Sequence, residues 1–341
     1  MARGKPTIRD VAKAAAVSLG TVSRVLNGHE SVSPEIHARV VDAIRRLGYR
    51  PNAIAQSMRT NATRTIGCVV RNLTFPMMAA FVKEAEALLN EAGYAMMISS
   101  SNDSLAHERM VLELFEQRRM DGLLLTVCDE KDPVLLRVLQ RINVPIVLFD
   151  RKMELDTDSV FIDHRGGVAQ ATTYLLDLGH RRIGLLAGNL AVHPARESLA
   201  GFEDAVAAAG ATPDPALVVC DDFSVESAYR NVSGMLALDR PPTALIAGGT
   251  LMLPGVLKAI GQAGLRIPDD ISLINGCESD LAEFATPAIS VIRKDFGSVG
   301  TVGAKLLLDR LEGGRPKKPR RILLPTELIL RGSCGHPRAA A

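Results

Sequence analysis

From Thr65 onward, short apolar runs alternate with longer stretches whose apolar residues recur at helical spacing. The runs Thr65–Val70, Tyr94–Ser99, Gly122–Val127, Pro145–Phe149, Val160–Ile162, Arg182–Leu186, Leu217–Cys220, Ala244–Ala247 and Ile271–Asn275 predict strands. Val82–Ala92, His107–Gln117, Gly166–Leu178 and Gly255–Ala263 predict helices between them. Strands alternating with helices imply an α/β body of parallel, doubly wound sheets covered on both faces. Such sheets bind ligands beyond the carboxyl ends of their strands.

The first segment reads differently. Thr7 to Asp10 spells T-x-x-D, a helix start of the capping-box kind, and Val11, Ala12 and Ala15 follow at helical spacing. Val17-Ser18 breaks that helix, and Ser18 caps a second one with Val22, Val25 and Leu26 on its inward face. Asn27-Gly28 stops it. Ser33-Pro34-Glu35 opens a third helix with Val40, Ile44 and Leu47 inward, ended by Gly48. Two short helices joined by a tight turn and braced by a third predict a small all-α helix-turn-helix head.

Charge adds to that picture. The chain has 341 residues and a formal net charge of +2, but residues 1–64 hold 11 Lys/Arg against 4 Asp/Glu. A basic head on an acidic body points to an anionic partner for the head. The outward face of the second helix presents Leu19, Gly20, Ser23 and Arg24, with Thr21 near its start. Arg24 suits a guanine edge, which accepts two hydrogen bonds, and Leu19 suits a thymine methyl. Gly20 permits close approach. Ser18, Thr21, Ser23 and Asn27 are sized for phosphates, which fix register without carrying sequence information. A three-helix bundle with an idle polar face is the competing reading.

Five scattered cysteines show neither a CxxC pair nor metal-like spacing, so buried or idle thiols are expected. No apolar run reaches the roughly 18–20 residues that span a bilayer, and no signal-peptide core follows the basic N-terminus. A cytoplasmic protein without a membrane contact is expected. GxxxxGK[ST], HExxH and a GxSxG in strand-turn-helix context are absent, so neither an enzyme nor a cofactor is expected.

The segments Thr7–Asn27 (TIRDVAKAAAVSLGTVSRVLN) and Leu47–Arg59 (LGYRPNAIAQSMR) resemble the head of the lactose-repressor (LacI/GalR) family, and the resemblance continues to about Gly332. It implies a regulator whose second helix enters the DNA major groove, with Thr7 among the contacts. It also implies domains of 1–51 for the head, 52–64 for a hinge helix and linker, and 65–341 for an effector-binding and dimerisation body. The hinge Asn52–Arg59 is shorter than the roughly 12–15 residues of a marginal isolated helix, so it would fold on DNA. Met58 stands where the family carries a leucine wedge, and Asn52 and Ala55 match further hinge contacts; methionine also serves as a wedge.

The body would resemble two-lobed periplasmic sugar-binding proteins. Lobes of about 65–162 plus 293–324, and 163–292 plus 325–332, are expected, with crossings near Asp163, Ser290–Asp295 and Leu324–Thr326. The effector contacts that the resemblance implies are Phe75, Met77, Met78, Asp150, Asp163, Arg196, Phe223, Thr250 and Glu278. Several depart from the family. Its Asn-Pro-Phe-Phe is Phe75-Pro76-Met77-Met78 here, its Asn-Asp is Gly249-Thr250, and its Gly-Tyr-Asp is Gly276-Cys277-Glu278. A carboxylate at a strand end also serves as a helix cap, and Phe223 also suits a core. Fewer carboxylates favour a smaller or more acidic ligand than a neutral hexose. His180 reads as a structural turn, and Arg315–Arg321 as a solvated loop.

The expected function is a ligand-responsive repressor binding a pseudo-palindromic operator on double-stranded DNA as a homodimer. Its small-molecule effector is a small polar compound, with a sugar or sugar acid favoured. The C-terminal segment lacks leucine heptads, so a dimer is expected over a coiled-coil tetramer. A purine-type co-repressor, a solute-binding protein and an α/β enzyme are the rivals.

Overall fold

A computed structural model describes residues 6–26, 31–49, 62–249, 251–313 and 318–338. The chain divides into two compact units, Met1–Thr63 and Arg64–Ala341.

In the first unit, α1 (Ile8–Ala14), α2 (Leu19–Leu26) and α3 (Pro34–Leu47) enclose Val11, Ala12, Ala15, Val22, Val25, Val40 and Ala43. The capping box forms: Thr7 N donates to Asp10 Oδ2 at 2.8 Å and Asp10 N to Thr7 Oγ1 at 3.4 Å. Ser18 Oγ accepts from Thr21 N at 3.1 Å, and Ser33 Oγ from Ile36 N at 3.4 Å. Leu47, expected inside, is exposed, and Ala43 takes its place because the crowded contact between helices admits a methyl group.

The second unit holds two six-stranded sheets. The first has the order β11-β5-β4-β3-β1-β2 and is wholly parallel. Its strands are β1 (Thr65–Val70), β2 (Ala95–Ser100), β3 (Gly122–Leu125), β4 (Ile146–Phe149), β5 (Asp158–Ile162) and β11 (Arg321–Leu324). Successive side chains point to opposite faces of a strand. Accordingly, Cys68, Val70, Val147 and Val160 meet α4 (Pro76–Glu91) and α12 (Phe296–Glu312). Val69, Leu123, Leu125 and Leu148 meet α5 (Leu105–Gln117) and α6 (Pro133–Arg141) on the other face. Gly300 lets α12 lie against α4, since a Cβ there would stand 2.3 Å from Phe81 O.

The second sheet has the order β12-β10-β9-β8-β6-β7. Its strands are β6 (Ile183–Leu186), β7 (Val218–Val219), β8 (Ala244–Ala247), β9 (Ser272–Asn275), β10 (Ser290–Lys294) and β12 (Thr326–Ile329). On one face lie α7 (His164–Asp177) and α8 (His193–Ala208), and on the other α9 (Val225–Leu236) and α10 (Met252–Gln262). The short α11 (Asp280–Phe284) follows β9. β12 runs antiparallel to β10, a departure from the expected all-parallel pattern. The chain reaches β12 directly from β11 in the other sheet, with Pro325 alone between them, and so enters from the opposite end.

The chain passes between the sheets at Asp163, between Lys294 and Phe296, and at Pro325. β10 stays in the second sheet through Lys294, slightly beyond the expected return at residue 293. His180 is buried in the turn before β6, within 2.8 Å of Thr243 Oγ1 and 2.9 Å of Gly335 O. All five cysteines are free, and burial pushes the Cys68 thiol up to about 12. Among the described residues, no helix is long and apolar enough to cross a membrane.

The basic run near residue 320 is not merely solvated. Asp158, fully buried at the start of β5, receives Arg310 Nη2 at 2.6 Å and Arg320 Nη2 at 2.8 Å. Burial alone raises a carboxyl, but the hydrogen bonds from Arg310 and Arg320 outweigh it and hold Asp158 at about 2. Asp158→Asn therefore removes the buried carboxylate that Arg310 and Arg320 share, although Arg320 keeps Asp309, and costs about 3–5 kcal/mol in urea unfolding at neutral pH. This contribution is complete above the unfolded carboxyl value of about 4 and is lost as pH falls through about 2. Wild type and variant should converge in stability across that window.

Candidate functional site

The head presents one face for contact. Ser18, Leu19, Gly20 and Arg24 are exposed on α2 and its cap, while Thr21 and Ser23 are half-buried. Leu19 is 45% exposed. The turn before α2 is braced from behind: Ala16 takes a left-handed φ of 50°, and Arg39 Nη2 donates to Ala15 O at 2.6 Å and to Ala16 O at 3.2 Å. Ser18 and Thr21 hydroxyls lie 2.9 Å apart, and Thr7 is engaged in its capping box. Asn27, Asn52, Ala55 and Met58 lie outside the described residues, as does Thr250 of the body.

In the body, a cleft of about 120 Å³ opens between the two sheets, at the carboxyl ends of β1, β4, β8, β9 and β10. Phe75, Met77, Met78, Asp150 and Phe223 line it, as expected from the sequence. Phe223 packs so closely on the loop after β6 that a Cβ on Gly188, which has φ +85°, would stand 2.1 Å from its ring. Arg71 lies on Phe223, with its guanidinium carbon 5.8 Å from the ring centroid.

Asp163, Arg196 and Glu278 do not line the cleft, because other groups hold them. Asp163 caps α7, accepting from Gly166 N at 2.8 Å. Glu278 is held between Arg293 and Arg331, at 3.1 and 2.5 Å. Arg196 donates to Leu190 O at 2.9 Å and pairs with Glu130. Glu130 comes from the loop after β3, so this ion pair joins the lobes. Its other oxygen accepts from His193 N at 2.6 Å, at the amino end of α8, where free amides favour an anion.

The sequence reading missed five charged or titratable residues that line the cleft: Arg71, Arg151, His164, Cys277 and Lys294. Arg71, Arg151 and Lys294 each follow or end a strand at its carboxyl end, and that position was the available signal. Asp150 has a left-handed φ of 55°, a strained conformation for a residue with a side chain. Its carboxylate lies 2.7 Å from His164 Nε2 and accepts from Ile162 N at 3.3 Å. Burial would raise the carboxyl, but His164 and Arg151 hold it down at about 2. Burial pushes the His164 imidazole down, and Lys294 and Arg151 add to that. The Asp150 carboxylate opposes that shift, since it favours the charged ring.

The positive groups are less well matched. Arg71 pairs with Asp103. Arg151 donates to two backbone carbonyls, Val127 O and Asp150 O, each at 2.6 Å, and meets no carboxylate directly among the described residues. Lys294 likewise has no ion pair among the described residues, and burial pushes its ammonium down. The cleft thus offers two cations without a contacting counter-charge, inside a largely apolar wall.

Residues 7–52 match the model described as bacterial regulatory proteins, lacI family, and residues 172–334 match a periplasmic binding protein-like domain. The chain is 33% identical over 329 residues to the HTH-type transcriptional repressor PurR of Photobacterium profundum, covering 96% of this chain and 98% of that protein. The chain belongs to the lacI family. The PurR of Escherichia coli O139:H28 is 34% identical, with 96% of each chain covered. Among solved structures, the lac repressor dimer bound to operator and the anti-inducer ONPF superposes with a TM-score of 0.84 at 27% identity, covering 96% of this chain and 98% of that one. A CelR–cellobiose complex, a transcriptional regulator, gives 0.74 at 32%, covering 96% and 99%. This lacI-family regulator therefore joins a helix-turn-helix head to a two-lobed α/β body.

Replacing Glu130 by Ala should strip the α8 amide and Arg196 of a shared acceptor. We expect a loss of about 2–3 kcal/mol in urea unfolding, as for hydrogen bonds to a charged group. Glu130→Gln, which keeps an oxygen for the His193 amide, should lose less; equal stability of all three proteins would show that the bridge contributes nothing.

Proposed function

We propose that this lacI-family chain is a ligand-responsive repressor that binds a pseudo-palindromic operator as a homodimer and takes a small acidic effector in the cleft between its lobes. The operator-bound dimer of the lac repressor supports the first part. In this reading Arg24 reads a guanine edge and Leu19 a thymine methyl, with Gly20 allowing close approach. Thr7, Ser18, Thr21, Ser23 and Asn27 meet phosphates and set register. Asn52 and Ala55 belong to the hinge, and Met58 is its wedge in the minor groove.

The observation that carries the effector reading is the pairing state of the cleft. Arg151 and Lys294 face it without a contacting carboxylate among the described residues, while Asp150 is occupied by His164. A carboxylate matches the charge of both cations, whereas a neutral hexose accepts their hydrogen bonds without supplying a counter-charge. Sugar acids are one class to test. A planar nucleobase is the rival, favoured by the rings of Phe75, Phe149 and Phe223 in the wall. Either ligand would change the closure of one lobe on the other and so bias hinge folding; couplings of about 1–3 kcal/mol suffice for such control.

Mapping bound sites across the genome identifies the operator, and two variants then test the reading by fluorescence anisotropy. Deleting residues 1–60 should abolish operator binding and leave effector-induced thermal stabilisation intact. Arg24→Ala should cost about 1–3 kcal/mol and relax preference at one base position in each half-site. Operator affinity that survives the deletion would overturn the proposal.

A further inference from the structure

We infer that the effector is an organic acid with an apolar, largely unhydroxylated carbon body, its carboxylate held by Lys294 and Arg151. This rests on the cleft being the effector site and narrows the class of ligand.

The wall is poorly equipped for a polyol. Reading several vicinal hydroxyls takes side chains that both donate and accept, or free carboxylates. Among the described residues lining the cleft there is neither Asn nor Gln, Thr126 carries the only hydroxyl, and Asp150 is the only carboxylate. Asp150 already accepts from His164 and Ile162. Of the other polar residues placed here by family resemblance, Asp163 caps α7, Arg196 is held by Glu130 and Glu278 by Arg293 with Arg331, while Thr250 lies outside the described residues. A polyol would leave most of its hydroxyls buried without partners, at a cost for each.

What is present fits a different molecule. Phe75, Met78, Phe149, Phe223 and Val192 supply rings and aliphatic surface for an apolar body. Against that wall stand two positive groups from opposite sides of a lobe crossing. Arg151 follows β4 of the first lobe, and its Nε and Nη1 are fixed on Val127 O and Asp150 O. Lys294 ends β10 of the second lobe, immediately before the passage into α12. Its backbone is held on both sides, by pairing of β10 with β12 and by Asp295, which caps α12 through Ser298 N at 2.9 Å. A cation desolvated without a partner is unfavourable and gains most from an arriving anion. One carboxylate between these groups ties the two lobes together at their hinge. The acid group thereby reports occupancy, and the apolar body sets which acid is accepted.

The test uses the full-length protein in thermal-shift and calorimetric titrations. Benzoate and hexanoate represent apolar acids, with benzamide and hexanamide as their neutral isosteres. Gluconate and glucuronate represent sugar acids, glucose and ribose neutral sugars, and hypoxanthine a nucleobase. An apolar acid should stabilise the protein while its amide does not. Lys294→Met should weaken that binding roughly ten- to a hundred-fold, as for loss of a charge-assisted hydrogen bond. Lys294→Arg should restore most of it. The melting temperature of ligand-free Lys294→Met should not fall, because the variant removes a cation with no protein partner; this separates a ligand role from a structural one. Binding of a sugar, sugar acid or nucleobase in preference to the apolar acids overturns the inference and leaves the cleft as the effector site. So does apolar-acid binding that Lys294→Met leaves unchanged. Silence of the whole panel overturns the inference and the acidic-effector reading together.

Discussion

Asp150 stands at the carboxyl end of β4 in a left-handed conformation, its carboxylate 2.7 Å from the ring nitrogen of the residue that begins α7. This contact spans the first passage of the chain between its sheets. It keeps a buried carboxylate ionised by giving it a donor and a nearby guanidinium. It also engages both of that carboxylate's oxygens, one with Ile162 N and one with His164. Arg151 and Lys294 remain without a contacting acid among the described residues, and apart from Arg71, Thr126 and the Asp150–His164 pair the rest of the wall is apolar.

Other buried carboxylates serve the same architecture by different means. Asp158 fastens the strand β5 to Arg310 of α12 and to Arg320 just before β11, so the part of the first lobe that returns late in sequence is anchored to the early part. Glu130 reaches from the first lobe to the amino end of α8 in the second. In each case a charge that would be costly alone is satisfied by several donors, which makes the arrangement specific as well as stable. Glu130 thus joins the lobes through a polar contact, beside which Phe161 meets the His193 ring edge-on across the same boundary, whereas Asp158 ties together elements of the first lobe that also share an apolar core.

The head follows a different logic. Its core is made of small residues, and its geometry depends on caps and on Arg39 holding the turn by two carbonyls. Once the helices are fixed in this way, Leu19 and Arg24 have no inward partner and face outward.

Much of this could be read along the chain. Thr7, Ser18 and Ser33 as caps, the three helices of the head and the strands β1 and β8 follow from local chemistry, since capping and alternation depend on neighbours in sequence. The family could be recognised for the same reason, from contiguous motifs. The short strands β10, β11 and β12 were not legible: β11 pairs with β5 about 160 residues away and β12 enters the second sheet directly from the first, while β10 sits at the passage out of the second sheet. The cleft divided along the same line. Phe75, Met77, Met78, Asp150 and Phe223 sit in loops at strand ends and were found there. Whether Asp163, Arg196 and Glu278 were free for a ligand depended on Gly166, Glu130, Arg293 and Arg331, and the partners of Arg196 and Glu278 are brought near only by folding. The sequence alone determined the head, the α/β class and the regulatory family. Only the tertiary structure decided which charges are paired and which, like Lys294, are left facing the cleft, because pairing is a matter of distance in space.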